Sequence, residues 1–146
     1  MKGYHHVLPL EVRFRDLDVF GHVNNGVVFT FVETARIRYL IDVGIRSSRA
    51  SWNGVAFILA YINCDFRRPI FYEQTVEVGT RITEIGRTSL RLEHRVEADG
   101  DLAADGYGIL VHYDYSANQS ILIPPEMRLK IEAFEQKKFR LKDIRS

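Results

Sequence analysis

Cysteine is almost missing from this chain of 146 residues: Cys64 stands alone. That excludes an intrachain disulfide and a multi-cysteine zinc site, and the single thiol fits a reducing compartment. Charge of one sign is missing too. Lys and Arg number 20 against 19 Asp and Glu, a net charge of +1, so no global field argues for a nucleic acid or a membrane surface, and local clusters must carry any electrostatic argument. No apolar run approaches membrane-spanning length, and the opening Met1 to His6 lacks the apolar core of a signal peptide, so a soluble, cytoplasmic protein without a membrane span is expected. There is no internal repeat and no second domain; residues 1–146 read as a single domain, long enough to bury an ordinary core.

What is present is organised around one turn. Phe14-Arg15-Asp16-Leu17-Asp18-Val19-Phe20-Gly21-His22-Val23-Asn24-Asn25 gathers two carboxylates, an imidazole and two amides just before the most apolar helical segment, Val27 to Val43. Asn24 or Asn25 suits a helix cap, since its amide oxygen accepts from an unpaired N–H, and Gly44 suits the left-handed residue that ends the helix. Few positions of that segment are polar, which predicts a helix largely enclosed by other structure.

The rest reads as sheet. Leu8, Leu10, Val12 and Phe14 alternate with charged residues and predict a half-buried strand over Leu8–Arg15. Ala56–Arg67 is apolar on both parities and predicts a central strand covered on both faces. Ile45–Gly54, with Arg46 and Arg49, reads as loop or a short helical turn. Thr75–Ile82 is another strand with its turn at Ile85-Gly86-Arg87; Leu90, Leu92, His94 and Val96 alternate with Arg91, Glu93, Arg95 and Glu97; Asp99-Gly100 is a hairpin signal leading into Leu102–Tyr115. A last helix starts near Pro124-Pro125-Glu126 and ends in the basic stretch Lys137–Lys142. One antiparallel sheet wrapped around one long helix, an α+β fold, satisfies both patterns.

Several residues suit chemistry at a carbonyl group. Asp18 or Asp16, anionic at neutral pH, suits attack on a carbonyl carbon or activation of water, although either also suits a turn cap. His22 suits an orienting or hydrogen-bonding role, and main-chain N–H groups near Asn24 and Asn25 suit a developing oxyanion. Glu33 is a carboxylate on an apolar helix, with Arg36 as its local partner. Arg67, Arg68, Arg87 and Arg91, with Thr88 and Ser89, suit phosphate recognition. Val28, Phe29, Phe31, Phe57, Leu59 and Tyr61 offer apolar lining for a fatty or aromatic group.

Asp16-Leu17-Asp18-Val19-Phe20-Gly21-His22-Val23-Asn24-Asn25, followed by Glu33-Thr34-Ala35-Arg36, resembles the D-x-D-x-x-G-H-V-N-N … E-x-A-R signature of hotdog-fold thioesterases related to 4-hydroxybenzoyl-CoA thioesterase. The resemblance extends through Asp65-Phe66-Arg67-Arg68-Pro69 to Tyr115. It departs at Val28, where such proteins usually have an aromatic residue, and at Phe31, where Trp or Tyr is frequent. The resemblance implies the hotdog fold, hydrolysis of an acyl thioester on coenzyme A or acyl carrier protein, no metal or organic cofactor, and homodimers or homotetramers with the site at the subunit interface. It assigns the catalytic carboxylate to Asp18 as nucleophile or general base, with Glu33 corresponding to the helix-borne acid of a distinct branch. A hotdog hydratase fits less well, since its Asp and His stand five apart around an Asn-Pro that is absent here. A non-catalytic acyl-CoA-binding module remains the alternative reading.

Overall fold

The structure is a computed structural model that describes residues 1–46, 53–142 and 144. The greater part of the expected Ile45–Gly54 loop, Arg49 included, lies outside the described residues.

β1 (His6–Glu11) leads through a short 3-10 turn at Phe14–Asp16 into α1 (Asn25–Val43). β2 (Val55–Ile62), β3 (Asp65–Phe66), β4 (Thr75–Gly86), β5 (Ser89–Ala98), β6 (Asp101–Asp114) and β7 (Gln119–Ser120) follow, then α2 (Pro125–Glu135) and β8 (Leu141–Lys142). The main sheet runs β1-β4-β5-β6-β2, antiparallel throughout; β3 and β7 add to β6, and β8 pairs with β4 in parallel. No helix among the described residues is long and apolar enough to cross a membrane.

α1 forms where the sequence supplies both ends. Asn24 caps it, its side chain accepting from the Gly26 N–H at 2.8 Å, and Gly44 closes it at φ 92°, a backbone conformation that glycine adopts without a Cβ clash. The enclosure expected of α1 is corrected, because only one side of it is covered: Val28, Phe31, Val32, Ala35, Tyr39, Leu40 and Val43 are buried while Thr30, Glu33, Thr34 and Arg38 face outward. A fully buried side chain of this size contributes about 2 kcal/mol, so this stripe rather than helix propensity holds α1 on the sheet.

The interior falls into two clusters. Around the N-terminal half of α1, Val28, Phe31, Val32 and Ala35 pack on Val76, Val78, Val96, Ala103 and Ala104. Around its C-terminal half, Tyr39, Leu40 and Val43 pack on Ile82, Ile85, Leu90, Leu92, Leu110 and, from α2, Ile131. Between them lies a buried polar row of Arg36, His6, Thr80 and His94, with His6 opposite Thr80 and Thr80 opposite His94 in the strand register. The His94 Nε2–H donates to the Asn63 carbonyl at 3.0 Å. Burial, reinforced by the nearby Arg36 charge against that hydrogen bond, pulls the His94 pKa down to about 4. α2 is tied down at its far end, where the fully buried Tyr39 hydroxyl donates to Glu135 at 2.5 Å and the Ile82 N–H donates to the same oxygen at 3.1 Å.

Three further expectations need correction. β2 is an edge strand, not a central one: Leu59 and Tyr61 are 42 % and 44 % exposed, because apolar residues on both parities look the same whether a neighbouring strand or nothing lies alongside. The first strand ends at Glu11 rather than Arg15. Arg13 turns the chain there by pairing with Asp16, and Phe14, the expected inward residue, is 75 % exposed. Finally, β4 continues to Gly86 through an irregularity between Ile82 and Glu84, leaving only Arg87 and Thr88 in the turn.

Candidate active site

The turn before α1 is closed by its own backbone. Leu17 and Val23 bridge across it, the Asp18 N–H donates to the His22 carbonyl at 3.0 Å, and the Gly21 N–H returns to the Asp18 carbonyl at 3.0 Å. Gly21 takes φ 82°, which a glycine accommodates without strain. One Asp18 oxygen accepts from the Phe20 N–H at 2.9 Å, an Asx turn; the other has no partner among the described residues. Asp18 is half-buried, so the same carboxylate both shapes the turn and keeps a free oxygen.

Asp16 is placed differently. It is 2 % exposed, and its carboxylate accepts from the Arg13 N–H at 2.8 Å, from Nε at 3.2 Å and from Nη2 at 2.9 Å. Burial pushes its pKa upward, but the Arg13 hydrogen bonds and charge outweigh this and hold it below the ordinary carboxylate value. Its own carbonyl accepts the Asn24 N–H at 2.9 Å. Asp16 therefore links the chain before the turn to the helix cap after it, with both its carboxylate oxygens engaged by Arg13. Period-2 reading missed the Arg13–Asp16 brace; its one signal is the opposite-charge pair three residues apart.

At the helix start the donors sort themselves. The Asn24 N–H goes to Asp16 and the Gly26 N–H to the Asn24 side chain, whereas the Asn25 N–H meets no acceptor among the described residues. Unpaired N–H groups at a helix start favour negative charge. A pocket of about 310 Å³ opens against this point, lined by His22, Asn25, Val28, Phe66, Arg67, Arg68 and Ile70 among others. His22 is held at its mouth, stacked on Phe20 with ring centroids 6.0 Å apart and contacting the edge of Phe71, with Nδ1 3.3 Å from the Val23 carbonyl. Asp18 sits one turn back, joined to His22 through the backbone.

Of the residues singled out from the sequence, the structure thus brings His22, Asn25, Arg67 and Arg68 to one pocket, while Asp18 and Asn24 lie outside its lining, on the turn and the cap that carry His22 and Asn25. It does not bring the others there. Glu33 is 65 % exposed on the outer side of α1, 3.7 Å from Arg36. Arg87, Thr88 and Ser89 lie at the far end of the sheet: Ser89 is buried opposite Val111, whereas β3 pairs at Asp105, about 20 Å away at strand rise. Of the expected acyl lining only Val28 reaches the pocket. Phe29 packs edge-on against Phe66, Phe57 stacks on His112, and Leu59 and Tyr61 stand on the β2 edge. Of the other lining residues, Phe66 sits in the two-residue β3 and Ile70 follows Pro69 in irregular chain, so neither belongs to a run long enough to show a period. No group of three or more His, Cys, Asp or Glu among the described residues is placed to hold a metal ion.

Comparison with known proteins gives this geometry a family. A thioesterase from Thermus thermophilus, solved in complex with coenzyme A and Zn, is similar at 37% identity and TM-score 0.85, over 95% of this chain and 100% of that one. The long-chain acyl-CoA thioesterase FadM of Escherichia coli is 27% identical over 84% of this chain and 94% of its own length. The chloroplastic acyl-acyl carrier protein thioesterase ATL3 of Arabidopsis thaliana is 25% identical over 88% of this chain and 68% of its own. Residues 12–131 match the thioesterase-like superfamily, and with an antiparallel sheet laid over one long helix this chain belongs to that superfamily as a hotdog-fold thioesterase.

Proposed function

We propose that the chain hydrolyses an acyl-CoA thioester to free acid and thiol, with Asp18 as the reacting carboxylate and the Asn25 N–H as oxyanion donor. The observation that supports this is an unpaired helix-start N–H at the pocket together with an Asp that keeps a free oxygen on the short turn carrying the pocket residue His22. As the thioester carbonyl becomes tetrahedral, negative charge grows on its oxygen; a donor already in place lowers that barrier without reorganising. Asp18, directly or through a water it holds, supplies the nucleophile, and thiolate is a good leaving group. Val28 in the pocket wall, smaller than the aromatic usual there, suits a fatty or aromatic acyl group, in keeping with the long-chain substrate named for FadM. An acyl carrier protein thioester is the finer alternative, supported by ATL3 and by the exposed basic stretch around Lys137 and Lys138.

A homodimer or homotetramer goes with this reading. Val19 and Phe20 are 94 % and 78 % exposed beside the Asp18 turn, and β2 presents an apolar open edge; surfaces of both kinds are normally covered. A lone half-buried cysteine goes with a cytoplasmic location. The use of Asp18 as a turn cap favours, as a second reading, a non-catalytic acyl-CoA-binding module. Thiol release from a ladder of acetyl- to palmitoyl-CoA separates the two. We expect turnover rising with chain length and an Asp18→Asn loss of about a hundredfold or more in kcat with KM largely kept. A folded Asp18→Asn protein with normal turnover refutes the assignment, and an acetyl preference refutes the substrate class.

A further inference from the structure

Arg36 is the one charged residue on the covered side of α1. It stands between Ala35, which packs in the cluster of Val78 and Val96, and Tyr39, which packs in that of Ile82 and Leu92. Thr80 lies between Val78 and Ile82 on β4, and His94 between Leu92 and Val96 on β5, so α1 delivers the guanidinium to the level of the polar row, where its charge acts on His94. His6, Thr80 and His94 stand side by side in the strand register, on the parity that faces α1. All of these side chains are at most 7 % exposed.

Polar atoms at this depth are normally hydrogen-bonded. Here two are unpaired and a third group is barely engaged. Thr80 Oγ1 and His6 Nδ1 are buried and meet no partner among the described residues. Arg36, a cation with several N–H donors, has as its ion pair there only the outward-facing Glu33, at 3.7 Å.

The two imidazoles spend their N–H groups elsewhere. His6 Nε2 lies 2.9 Å from Asp42 Oδ2, and His94 Nε2 lies 3.0 Å from the Asn63 carbonyl. A carboxylate and a carbonyl only accept, so each Nε2 carries a hydrogen, and Nδ1 of the neutral ring is a bare acceptor. The Asn63 carbonyl is itself fixed over Gly106, opposite His94, where a Cβ would strike it. The row therefore sets donors, Arg36 and the Thr80 hydroxyl, against acceptors on imidazole. An anion would satisfy the guanidinium but is repelled by a bare ring nitrogen, and a metal cation is repelled by the guanidinium. Only a small neutral molecule that both donates and accepts answers all of them. Thr80 is shorter than the rings on either side, which sets the place for such a molecule above Thr80 and beneath Arg36.

We propose that an internal water molecule is bound at this point, donating to His6 Nδ1, accepting from Arg36 and shared with the Thr80 hydroxyl. Buried waters typically make about three such bonds and are costly to remove. This one ties α1 to β1 and β4 at the level where the two apolar clusters part, and gives the buried Arg36 charge an acceptor.

A high-resolution crystal structure of the unaltered protein, from crystals soaked in bromide, tests the site directly. Density for one solvent molecule should lie within about 3.2 Å of both Thr80 Oγ1 and His6 Nδ1, without anomalous signal from bromide. An anomalous peak there identifies an anion and overturns the proposal, as does a direct bond between Thr80 Oγ1 and His6 Nδ1 with nothing between them. In solution, Thr80→Val keeps the shape and the strand preference of the side chain and removes its hydroxyl. If that hydroxyl has no partner, its removal relieves a desolvation penalty and raises Tm. If it holds a water shared with His6 and Arg36, Tm should fall by about 3 °C. A Tm that rises or stays unchanged overturns the proposal; should the variant not fold, the crystal measurement decides alone.

Discussion

His94 offers a measurement that depends on the packing alone. It sits in the polar row between the two core clusters, 4 % exposed, with a pKa drawn down to about 4, whereas a histidine in an unfolded chain titrates near about 6.5. Between those values the unfolded chain carries a proton that the folded one does not, so stability rises with pH there. The contribution is fully present above about pH 6.5 and is lost as pH falls toward about 4. At about 1.4 kcal/mol per unit the whole window is worth about 3 kcal/mol, and the step from about pH 7 to about pH 5 about 2 kcal/mol. For a chain of this size that step lowers Tm by about 6 °C. His94→Gln keeps an N–H donor for the Asn63 carbonyl and removes the titration. Urea unfolding of both proteins at a series of pH values should therefore show curves that converge toward acid, the variant being the less sensitive. Parallel curves between about pH 7 and about pH 5 would refute the neutral, buried His94.

Asp16→Asn should destabilise at neutral pH by about 2 kcal/mol through the charged Arg13 bonds, a difference that shrinks as acid protonates the native carboxylate below about pH 4. Its depressed pKa makes that sign the opposite of what a raised one would give. Turnover should fall less in Asp16→Asn than in Asp18→Asn; the reverse order in two folded proteins would exchange their roles. Placing a charge on the β2 edge, as in Leu59→Arg, should shift the assembly toward monomer in sedimentation; an unchanged mass would place the contact elsewhere.

Much of this fold was legible where local chemistry and tertiary demand coincide. Asn24 and Gly44 mark the ends of α1 because caps are local. The alternation of β5 from Leu90 to Val96 gives its inward face directly, and Asp99-Gly100, with φ 50° and 82°, forms the tight hairpin its residue types announce. The failures come where identity depends on what lies alongside. β2 carries a central strand's composition at an edge, and no periodicity records the missing neighbour. The Asn63–Gly106–His94 contact joins residues from three separate stretches of chain and leaves no trace in spacing. Within the site, the motif located the turn and the helix start, but only the geometry separates Asp16, wholly engaged by Arg13 and Asn24, from Asp18 with an oxygen to offer.

The polar row that parts the interior has a consequence for how such a chain tolerates change. Substitutions at Val28, Phe31 or Ile70 alter the cluster beside the pocket, while Ile82, Leu90 and Ile131 lie in the other, with Arg36, Thr80 and His94 between. Effects in residues without shared contacts tend to add rather than compound. The side that lines the pocket can thus be reshaped in volume one residue at a time, while the half that anchors α2 keeps the sheet and helix in place. The interior is modular, and the pocket can change shape without the scaffold having to be rebuilt.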